Sequence, residues 1–548
     1  MTGNIDYDRQ HRLWGEVGQG LLADSRLVIV GADRLAVECA KTAAILGVGN
    51  ICIIGKSKSR GEKFIDIPID GPAVKALEQL IPLHLNTECS VAGFDAPISR
   101  TLFNLCGSAD AVIDASNSPE SQALCYDLCN DLHIPVLLTG VADSIQGAMS
   151  YYAPMNLQRY DKSMFKVCLP GFEGLSQGTI ISNILAGMLV EEYRKSLFLR
   201  HSRRFQNVRI ALPDGKIRNK EGEYITYLNK FLEGTKMLQK DLEYSINGHT
   251  DRKIVPESHS ETENGLEESR ILLLGFGAIG NTLADIVARL GPAHIDIVDI
   301  DVFDRTNLNR QPLAYDGVGR RKAFVGAEKI NKIAGKNIAV PIIGFVGEEI
   351  TDEQLKKKGI TREDVTLLDR KWFEKNRANY DQVFGCFDNF AARLAMTKYA
   401  TEFRLKYIDG GSGGGKPNQC LASIYVPGTT NCMGCRKYIP ITDDNFRFSQ
   451  SVFSAQAEKR RELVDKNRAE YAGVVSMEGT SCGAEWVDGS IYMSDKIAAG
   501  FMAGEARKIR NSSIGRPVDE IQYSADEGGE IALHARPLKC KCGEKNAG

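Results

Sequence analysis

The sequence predicts an α/β protein made of two tandem Rossmann-like, doubly wound domains. An internal repeat, a glycine-rich turn in one copy and polar residues at the ends of apolar strands all favour this fold class. Residues 25–55 (SRLVIVGADRLAVECAKTAAILGVGNICIIG) align without gaps on residues 269–299 (SRILLLGFGAIGNTLADIVARLGPAHIDIVD), so the offset is 244 residues throughout. Each copy has the pattern of strand, glycine turn, helix and second strand, which predicts two homologous domains.

The two copies differ where a nucleotide would bind. The second copy has a GFGAIG turn with three glycines that permit a tight turn, close approach of a phosphate and close helix packing: Gly275, Gly277 and Gly280. In the first copy Asp33 and Ala36 stand at the last two of these positions, and an aspartate there would repel a phosphate. Asp299, at the position expected for an acid that binds ribose, is matched by Gly55. The first copy is therefore predicted to have lost its nucleotide site.

The second copy continues into a polar segment, VDIDVFDRTNLNRQPL, at residues 298–313. Arg310 in this segment and Lys322 in VGRRKAF suit a triphosphate better than a dinucleotide, although the glycine turn alone would also fit NAD or FAD. A later apolar strand ends in Asp388 and Asn389. An aspartate at that end of a strand is well placed to hold Mg²⁺. The alternative is that Asp388 caps the next helix.

These motifs resemble a known superfamily. GFGAIG, DIDVFDRTNLNRQ, VGRRKA and CFDNFAAR are similar, in order and spacing, to the ubiquitin-activating superfamily, which includes the ThiF/MoeB-like adenylyltransferases. YDRQHRLWGEVGQGLLADSRLVIVG resembles the inactive adenylation domain of eukaryotic-type activating enzymes. The resemblance implies an inactive domain at residues 1–205 and an active domain at 269–548, paired as an internal pseudo-dimer. Residues 206–268 would form a hairpin, a helix and a polar linker between them.

The resemblance also implies the roles of individual residues. Asp299 would bind the ATP ribose, Arg310 and Lys322 would contact the phosphates, and Asp388 would hold Mg²⁺. Arg9 in YDRQ matches an arginine that reaches the phosphates from the partner half; the alternative is a surface residue near the terminus. The nucleotide-binding set is Gly275, Gly277, Gly280, Asp299, Asp301, Asn307, Arg310, Lys322 and Asp388, and the catalytic set is Cys482, Arg9 and Asp388.

Two pairs of cysteines have metal-like spacing. Cys432 and Cys435 in NCMGC are spaced as in ordinary zinc sites, whereas Cys540 and Cys542 in KCKC are closer together than the Cys-x-x-Cys of the resembling family. We predict a structural Zn²⁺ bound by all four; the alternative is four free thiols. Other cysteines lie in apolar patterns and are predicted to be reduced core residues. They are Cys39, Cys52, Cys106, Cys125, Cys129, Cys168 and Cys386.

Cys482 in EGTSCGAEW is the predicted catalytic thiol. It precedes DKIAAGFMAGEARKIR, which resembles the closing helix of the family, and a nearby helix N-terminus would lower the pKa of the thiol. In the family a cysteine here takes the acyl group or handles sulfur, although some relatives use no thiol. The insertion at residues 436–481 resembles a reduced catalytic-cysteine region; alternatively its charged stretch is a solvated surface helix.

We therefore predict an enzyme that activates a ubiquitin-like β-grasp protein. It would use Mg-ATP to adenylate the C-terminal carboxylate, form a thioester on Cys482 and pass the protein to a conjugating enzyme. The alternatives are a sulfur-carrier adenylyltransferase for cofactor synthesis, a peptide-modifying adenylyltransferase without a catalytic thiol, a binding-only pseudoenzyme and a dehydrogenase. The short single-chain form resembles prokaryotic conjugation systems, including those linked to phage defence.

Composition narrows the class of partner. The chain has 68 basic and 70 acidic residues, which gives no electrostatic case for binding nucleic acid or an anionic membrane. No run approaches the roughly 20 apolar residues of a membrane span, and the N-terminus does not follow the pattern of a signal peptide. We expect a cytoplasmic protein.

Overall fold

The structure is a computed structural model. It describes residues 5–56, 63–142, 146–152, 178–200, 265–413, 419–437, 491–512, 516–525, 530–534, 538–540 and 542. Within these residues the chain is an α/β protein, as predicted, with one large mixed sheet from each copy of the repeat. Most of the predicted hairpin, helix and linker at 206–268 lies outside the described residues, which include only 265–268 of it. Almost all of the insertion at 436–481, and Cys168 and Cys482, also lie outside them.

The first half of the chain forms a sheet of six described strands in the order β5-β2-β1-β6-β7-β8. Only the β7–β8 pairing in it is antiparallel. The strands of this half are β1 (Arg26–Val30), β2 (Asn50–Ile54), β3 (Lys63–Phe64), β4 (Ile67–Pro68), β5 (Ser90–Phe94), β6 (Ala111–Asp114), β7 (Val136–Ala142) and β8 (Gln146–Tyr152). Its helices are α1 (Asp8–Asp24), α2 (Arg34–Leu46), α3 (Ala73–His84), α4 (Arg100–Leu105), α5 (Pro119–Leu132) and α6 (Thr179–Arg200).

The second half repeats this order and extends it. Its sheet of eight described strands runs β11-β10-β9-β14-β15-β16-β17-β18, parallel from β11 to β15 and antiparallel beyond. The strands are β9 (Arg270–Leu274), β10 (His294–Val298), β11 (Ala339–Ile342), β12 (Gly344–Val346), β13 (Thr366–Leu368), β14 (Gln382–Gly385), β15 (Tyr407–Ser412), β16 (Gln419–Tyr425), β17 (Glu520–Ser524) and β18 (Glu530–His534). The helices are α7 (Ala278–Arg289), α8 (Lys322–Ala334), α9 (Asp352–Lys357), α10 (Arg370–Asn376), α11 (Phe390–Glu402), α12 (Met433–Lys437) and α13 (Tyr492–Arg510).

The repeat read from the sequence is present in the backbone. Strands β1 and β9, and likewise β2 and β10, begin and end at positions that differ by 244 residues, the offset of the alignment. Alternate residues of each central strand lie in different cores because strand side chains alternate between faces. Leu27 and Ile271 share one apolar core, whereas Val28 and Leu272 each lie in a separate core on the other face of their own sheet.

Helices from both halves of the chain line the core that the two sheets share. Helices α2 and α6 of the first half pack there with α7 and α13 of the second, and α6 and α13 approach closely at small residues. A Cβ atom on Gly187 would lie 2.8 Å from the side chain of Ile497, and one on Gly500 would lie 2.3 Å from Ile184. Two glycines thus let these helices come together.

The first half contains a disulfide bond. Cys52 and Cys106 form a disulfide between β2 and the residue after α4, so the prediction that both are reduced is wrong, although both are buried as predicted. The two cysteines are 54 residues apart, and sequence spacing gave no signal for the pair. Among the described residues no helix combines the length and hydrophobicity needed to cross a membrane.

Candidate nucleotide and metal sites

The glycine turn of the second half connects β9 to α7 and leaves room above it. Gly275 has φ +91°, and a Cβ there would lie 2.6 Å from the carbonyl oxygen of Cys386. A Cβ on Gly280 would lie 2.0 Å from the carbonyl oxygen of Gly275, so both positions require glycine. Gly277 is the N-cap of α7, and a Cβ atom there would have no neighbouring heavy atom within 4 Å. The turn therefore has an open face at a helix N-terminus, where a phosphate group would fit.

Two aspartates follow β10 beside this turn. The carboxylate of Asp299 accepts hydrogen bonds from the backbone N–H of Phe276 (2.6 Å) and of Asp301 (2.7 Å). Burial raises the pKa of Asp299, although Lys322 acts to lower it. The bond to Phe276 ties the end of β10 to the glycine turn, so an acid that could bind ribose lies next to the position where a phosphate would bind.

Lys322 is the first residue of α8 and faces the acids of the site. Its side chain is 10% exposed and its Nζ lies 3.4 Å from Oδ2 of Asp301. Burial acts to lower the pKa of Lys322, but Asp299, Asp301 and Asp388 together hold it above its usual value. The structure thus brings together four charged residues that are up to 89 positions apart in the sequence.

Lys358, which the sequence analysis missed, also reaches this group. Its ammonium pairs with Oδ1 of Asp301, and Arg321 donates to the backbone carbonyls of Lys358 and Gly359, each at 3.1 Å. Despite burial, Lys322 and Lys358 hold the pKa of Asp301 below its usual range. Helix α9 ends at Lys357, directly before Lys358, but no sequence signal indicates what Lys358 contacts.

Asp388 lies at the end of β14, and the alternative reading of it as a helix cap is wrong. Asn389 is the N-cap of α11 and its side chain accepts from the N–H of Ala392 at 2.8 Å. Asp388 is exposed and lies close enough to Lys322 to raise the pKa of that lysine. Arg393 supports the loop, because it donates to the carbonyl of Phe387 at 2.6 Å and pairs with Asp409. A carboxylate held at this edge could ligate Mg²⁺.

The 304–313 segment is shaped by hydrogen bonds within itself. Arg310 donates to the carbonyl of Thr306 (2.8 Å) and to Oδ1 of Asn309 (2.9 Å), and Asn307 accepts from the N–H of Asp304 (3.2 Å). These contacts shape the loop itself; the phosphate role of Arg310 and the pocket role of Asn307 stay predictions.

One contact links this loop to the predicted arginine. Asn309 is 1% exposed and its Nδ2 donates to the carbonyl of Asp6 at 2.7 Å. Asp6 lies three residues before Arg9, in the segment that enters α1. The first half therefore meets the second next to the polar loop, and the role of Arg9 stays a prediction.

The equivalent region of the first half does not suit a nucleotide. Asp33 is the N-cap of α2, in the place of Gly277. A Cβ on Gly55 would lie 2.4 Å from the carbonyl carbon of Gly31, so no side chain fits where the second half has Asp299. The loss of both features supports the prediction that the first copy binds no nucleotide.

Four cysteines come together at the end of the second sheet. Cys432, Cys435, Cys540 and Cys542 have all their sulfur atoms within 4.8 Å of one another. Sγ of Cys542 is 3.9 Å from that of Cys432 and 3.5 Å from that of Cys435. Tetrahedral Zn²⁺ with Zn–S bonds of about 2.3 Å requires sulfur separations of about 3.8 Å, so the donor set fits zinc.

A backbone clamp supports the cysteine cluster. Oδ1 of Asn431 accepts from the N–H groups of Lys539 (2.8 Å) and Cys540 (3.0 Å), and the N–H of Asn431 donates to Asp519 (2.6 Å). Asn431 thus joins the two cysteine segments, which are more than 100 residues apart. The tighter Cys-x-Cys spacing of the second pair did not prevent the four sulfurs from meeting.

Comparison with known proteins identifies the second half. The model of the ThiF family matches residues 250–517. This stretch is a ThiF-family domain. A ubiquitin-activating enzyme E1-like protein of Saccharomyces cerevisiae is 29% identical over 172 residues, which is 31% of this chain and 23% of that protein. The sulfur carrier protein ThiS adenylyltransferase of Bacillus subtilis is 25% identical over 170 residues, which is 31% of this chain and 44% of that protein. The predicted membership of the ThiF/MoeB-like superfamily is confirmed.

These similarities are partial. A tRNA threonylcarbamoyladenosine dehydratase of Haemophilus influenzae is 25% identical over 161 residues, covering 29% of this chain and 53% of that protein. The chain thus spans between 23% and 53% of the length of these three relatives. A crystal structure of E. coli MccB aligns with 68% of this chain and 92% of its own length, at 17% identity and a TM-score of 0.35. At that TM-score the similarity carries no argument.

Proposed function

We propose that this chain is an ATP-dependent adenylyltransferase that activates the C-terminal carboxylate of a ubiquitin-like β-grasp protein. One observation carries the proposal. Lys322, flanked by Asp299, Asp301 and Asp388, lies beside the open glycine turn. Acid next to the turn suits the ribose, the lysine suits the phosphates, and the aspartate at the strand end suits Mg²⁺. The ThiF-family match and the E1-like and ThiS-activating relatives support the same reaction class.

In the proposed reaction a carboxylate oxygen attacks the α-phosphorus of ATP. A new P–O bond forms to the acyl group as the bond to pyrophosphate breaks. Lys322 binds the phosphates and offsets the charge that develops on the leaving group. Mg²⁺, held through Asp388, would supply further neutralisation of that charge. The rest of the catalysis is placement, since the backbone at Gly277 and the carboxylate of Asp299 orient the nucleotide.

The two halves are proposed to form an internal pseudo-dimer, with the inactive domain at 1–205 and the active domain at 269–548. Equivalent positions of the repeat meet at their contact: Nζ of Lys41 is 3.4 Å from Oδ2 of Asp285, and the two residues differ by the repeat offset. In a two-fold symmetric dimer, a residue near the axis contacts the same residue of the other subunit, and Lys41 and Asp285 occupy one such shared position. Arg9 would reach the phosphates from the inactive half, and the contact between Asn309 and Asp6 supports this placement.

The later steps of the pathway are also part of the proposal. Cys482 would take the activated protein as a thioester and deliver it to a conjugating enzyme, and a structural Zn²⁺ would occupy the four-cysteine cluster. The second candidate function is sulfur-carrier activation, in which Cys482 handles sulfur. The relative from Bacillus subtilis that acts on ThiS favours this alternative. The chemical nature of the product, thioester or thiocarboxylate, distinguishes the two.

The test is ATP–pyrophosphate exchange with small β-grasp proteins encoded beside the gene. We expect one of them to support exchange that Asp388→Ala abolishes and Cys482→Ala preserves. A thiol-sensitive adduct that is lost only in Cys482→Ala would add the thioester step. The matched control is Asn117→Gly. Asn117 lies three residues past β6, as Asp388 lies three residues past β14, and these strands pair with β1 and β9 in the same register. The φ of Asn117, +56°, suits glycine. Exchange that survives Asp388→Ala, or that Asn117→Gly abolishes, would contradict the assignment of the site.

A further inference from the structure

The segment between the second strand and the next helix differs between the two copies of the repeat. In the second half this segment joins β10 to α8 and carries Asp299, Asp301 and Arg310. In the first half it joins β2 to α3 and contains the β3–β4 hairpin, residues 63–68. The hairpin has none of the nucleotide-binding residues. It contacts the other half of the chain instead, at helix α8.

The first contact is with a buried lysine of that helix. Lys329 is 0% exposed, and its Nζ lies 3.2 Å from Oδ2 of Asp66 in the hairpin and 2.8 Å from Asp316. The Asp66 side chain is 3% exposed and also accepts from the hydroxyl of Tyr315 at 3.0 Å, whereas Asp316 is 44% exposed. The buried counterion of Lys329 is therefore supplied by the inactive half. Removing such a partner from a buried cation strongly destabilises the fold.

The second contact is at the C-terminus of the same helix. Nζ of Lys63 donates to the carbonyl of Lys332 at 2.6 Å and to that of Ile333 at 2.9 Å. The last carbonyls of a helix have no partner within the helix and carry its negative end charge, so an ammonium group there is favourable. Arg289 of α7 in turn donates to the carbonyl of Ile65 at 3.0 Å, which holds the hairpin in place.

Both contacts lie on the helix that begins with Lys322. Lys329 is seven residues further along, about 10 Å at 1.5 Å per residue. The inactive half thus holds the middle and the end of α8, while the first residue faces Asp299, Asp301 and Asp388. We propose that the 63–68 hairpin is a clamp through which the inactive half positions Lys322 for the phosphates. This inference rests on the proposed function, and Asp66 and Lys63 are positioning residues in it.

The test compares ligands with and without phosphates, since Lys322 acts on phosphates alone. Isothermal titration calorimetry on the full chain would measure the Kd of ATP with Mg²⁺ and the Kd of adenosine. We expect Asp66→Asn to weaken Mg-ATP binding at least tenfold and to change adenosine binding less than twofold. In a Lys322→Met background, Asp66→Asn should weaken Mg-ATP binding no further. Lys63→Met, which removes a partly exposed cap, should weaken it about threefold and carries the test if Asp66→Asn does not fold.

The control is Glu78→Gln, which removes an acid of the first half from an exposed ion pair with Lys75 and should leave both constants unchanged. Equal loss of ATP and adenosine binding in the hairpin variants would overturn the clamp. So would an effect of the same size when Lys322 is already methionine. A wild-type chain that does not bind Mg-ATP, or a Lys322→Met variant that binds it normally, would overturn the proposed function and the clamp with it.

Discussion

Lys496→Met is expected to weaken the contact between the two halves of the chain. Lys496 in α13 is 0% exposed and pairs with Glu38 of α2, which is 3% exposed. Glu38 also pairs with Lys41 at 2.8 Å, and Lys41 continues to Asp285 at 3.4 Å. Burial lowers the pKa of Lys496 to about 8, while despite burial Lys41 and Lys496 hold the pKa of Glu38 well below its usual range. Both groups of the pair are therefore charged near neutral pH.

The expected magnitude follows from this burial. Removing one member of a buried ion pair costs about 3–5 kcal/mol because the other charge stays buried. Lys41 remains beside Glu38 in the variant, so we expect the low end, about 3 kcal/mol of the free energy of unfolding. Replacing both members, Glu38→Leu with Lys496→Met, removes the stranded carboxylate. Because Lys41 then keeps Asp285 as its partner, the double change should cost about 1 kcal/mol or less. The coupling between the two substitutions would then be at least about 2 kcal/mol.

Urea denaturation monitored by circular dichroism measures these free energies. The control is Lys75→Met, which removes an exposed ion pair with Glu78 and should cost under about 1 kcal/mol. Because Glu38 and Lys496 lie in different halves, we also expect the single variant to separate the unfolding of the two halves into distinct transitions. A loss below about 1 kcal/mol for Lys496→Met, or a double variant no more stable than the single one, would refute the reasoning.

Three other predictions follow from the structure. Arg393→Lys loses part of the clamp on the Phe387 carbonyl next to Asp388, so the Mg²⁺ concentration for half-maximal ATP binding should rise about tenfold. Cys435→Ser should lose bound zinc in elemental analysis and lower the Tm. Burial raises the pKa of Glu192 to about 7, above its unfolded value of 4.5, so its ionisation destabilises the fold as pH rises through this window. The free energy of unfolding of Glu192→Gln, relative to that of wild type, should therefore rise by about 3 kcal/mol between pH 5 and pH 8.

Each of these has its own counter-result. Arg370→Lys alters an exposed ion pair with Glu402 on α11 and should not change the Mg²⁺ requirement; an equal effect in both variants would contradict the role of Arg393. The control is Cys89→Ser, which replaces a buried free cysteine that is not one of the four. Zinc that remains in Cys435→Ser, or that is lost equally in Cys89→Ser, would contradict the four-cysteine site. Parallel stability–pH curves for wild type and Glu192→Gln would show that the carboxyl is ionised throughout.

Much of the fold could be predicted because it is encoded locally. A short continuous apolar run defines β1 and β9, and the helix pattern that follows each strand has the same offset in both copies. Position 275 requires glycine because its φ is positive and a backbone carbonyl lies close to it. Both are properties of the turn itself. Asp33 and Gly55 likewise predict the loss of the first nucleotide site from sequence alone, since each removes a feature that the ligand needs.

What the sequence could not give depends on chain segments that are distant in sequence. Lys358 pairs with Asp301 across 57 positions, and the 63–68 hairpin reaches a helix more than 250 residues away. Cys52 and Cys106 bond because β2 and α4 place them together, and neither spacing nor periodicity records that proximity. By itself the sequence determined the repeated strand–turn–helix–strand pattern, the glycine turn and the chemistry at each strand end, because these follow from backbone sterics and side-chain type. Only the tertiary structure decided which charges meet and which segment of the first half contacts the helix that begins with Lys322, since both depend on packing between elements that no local pattern specifies.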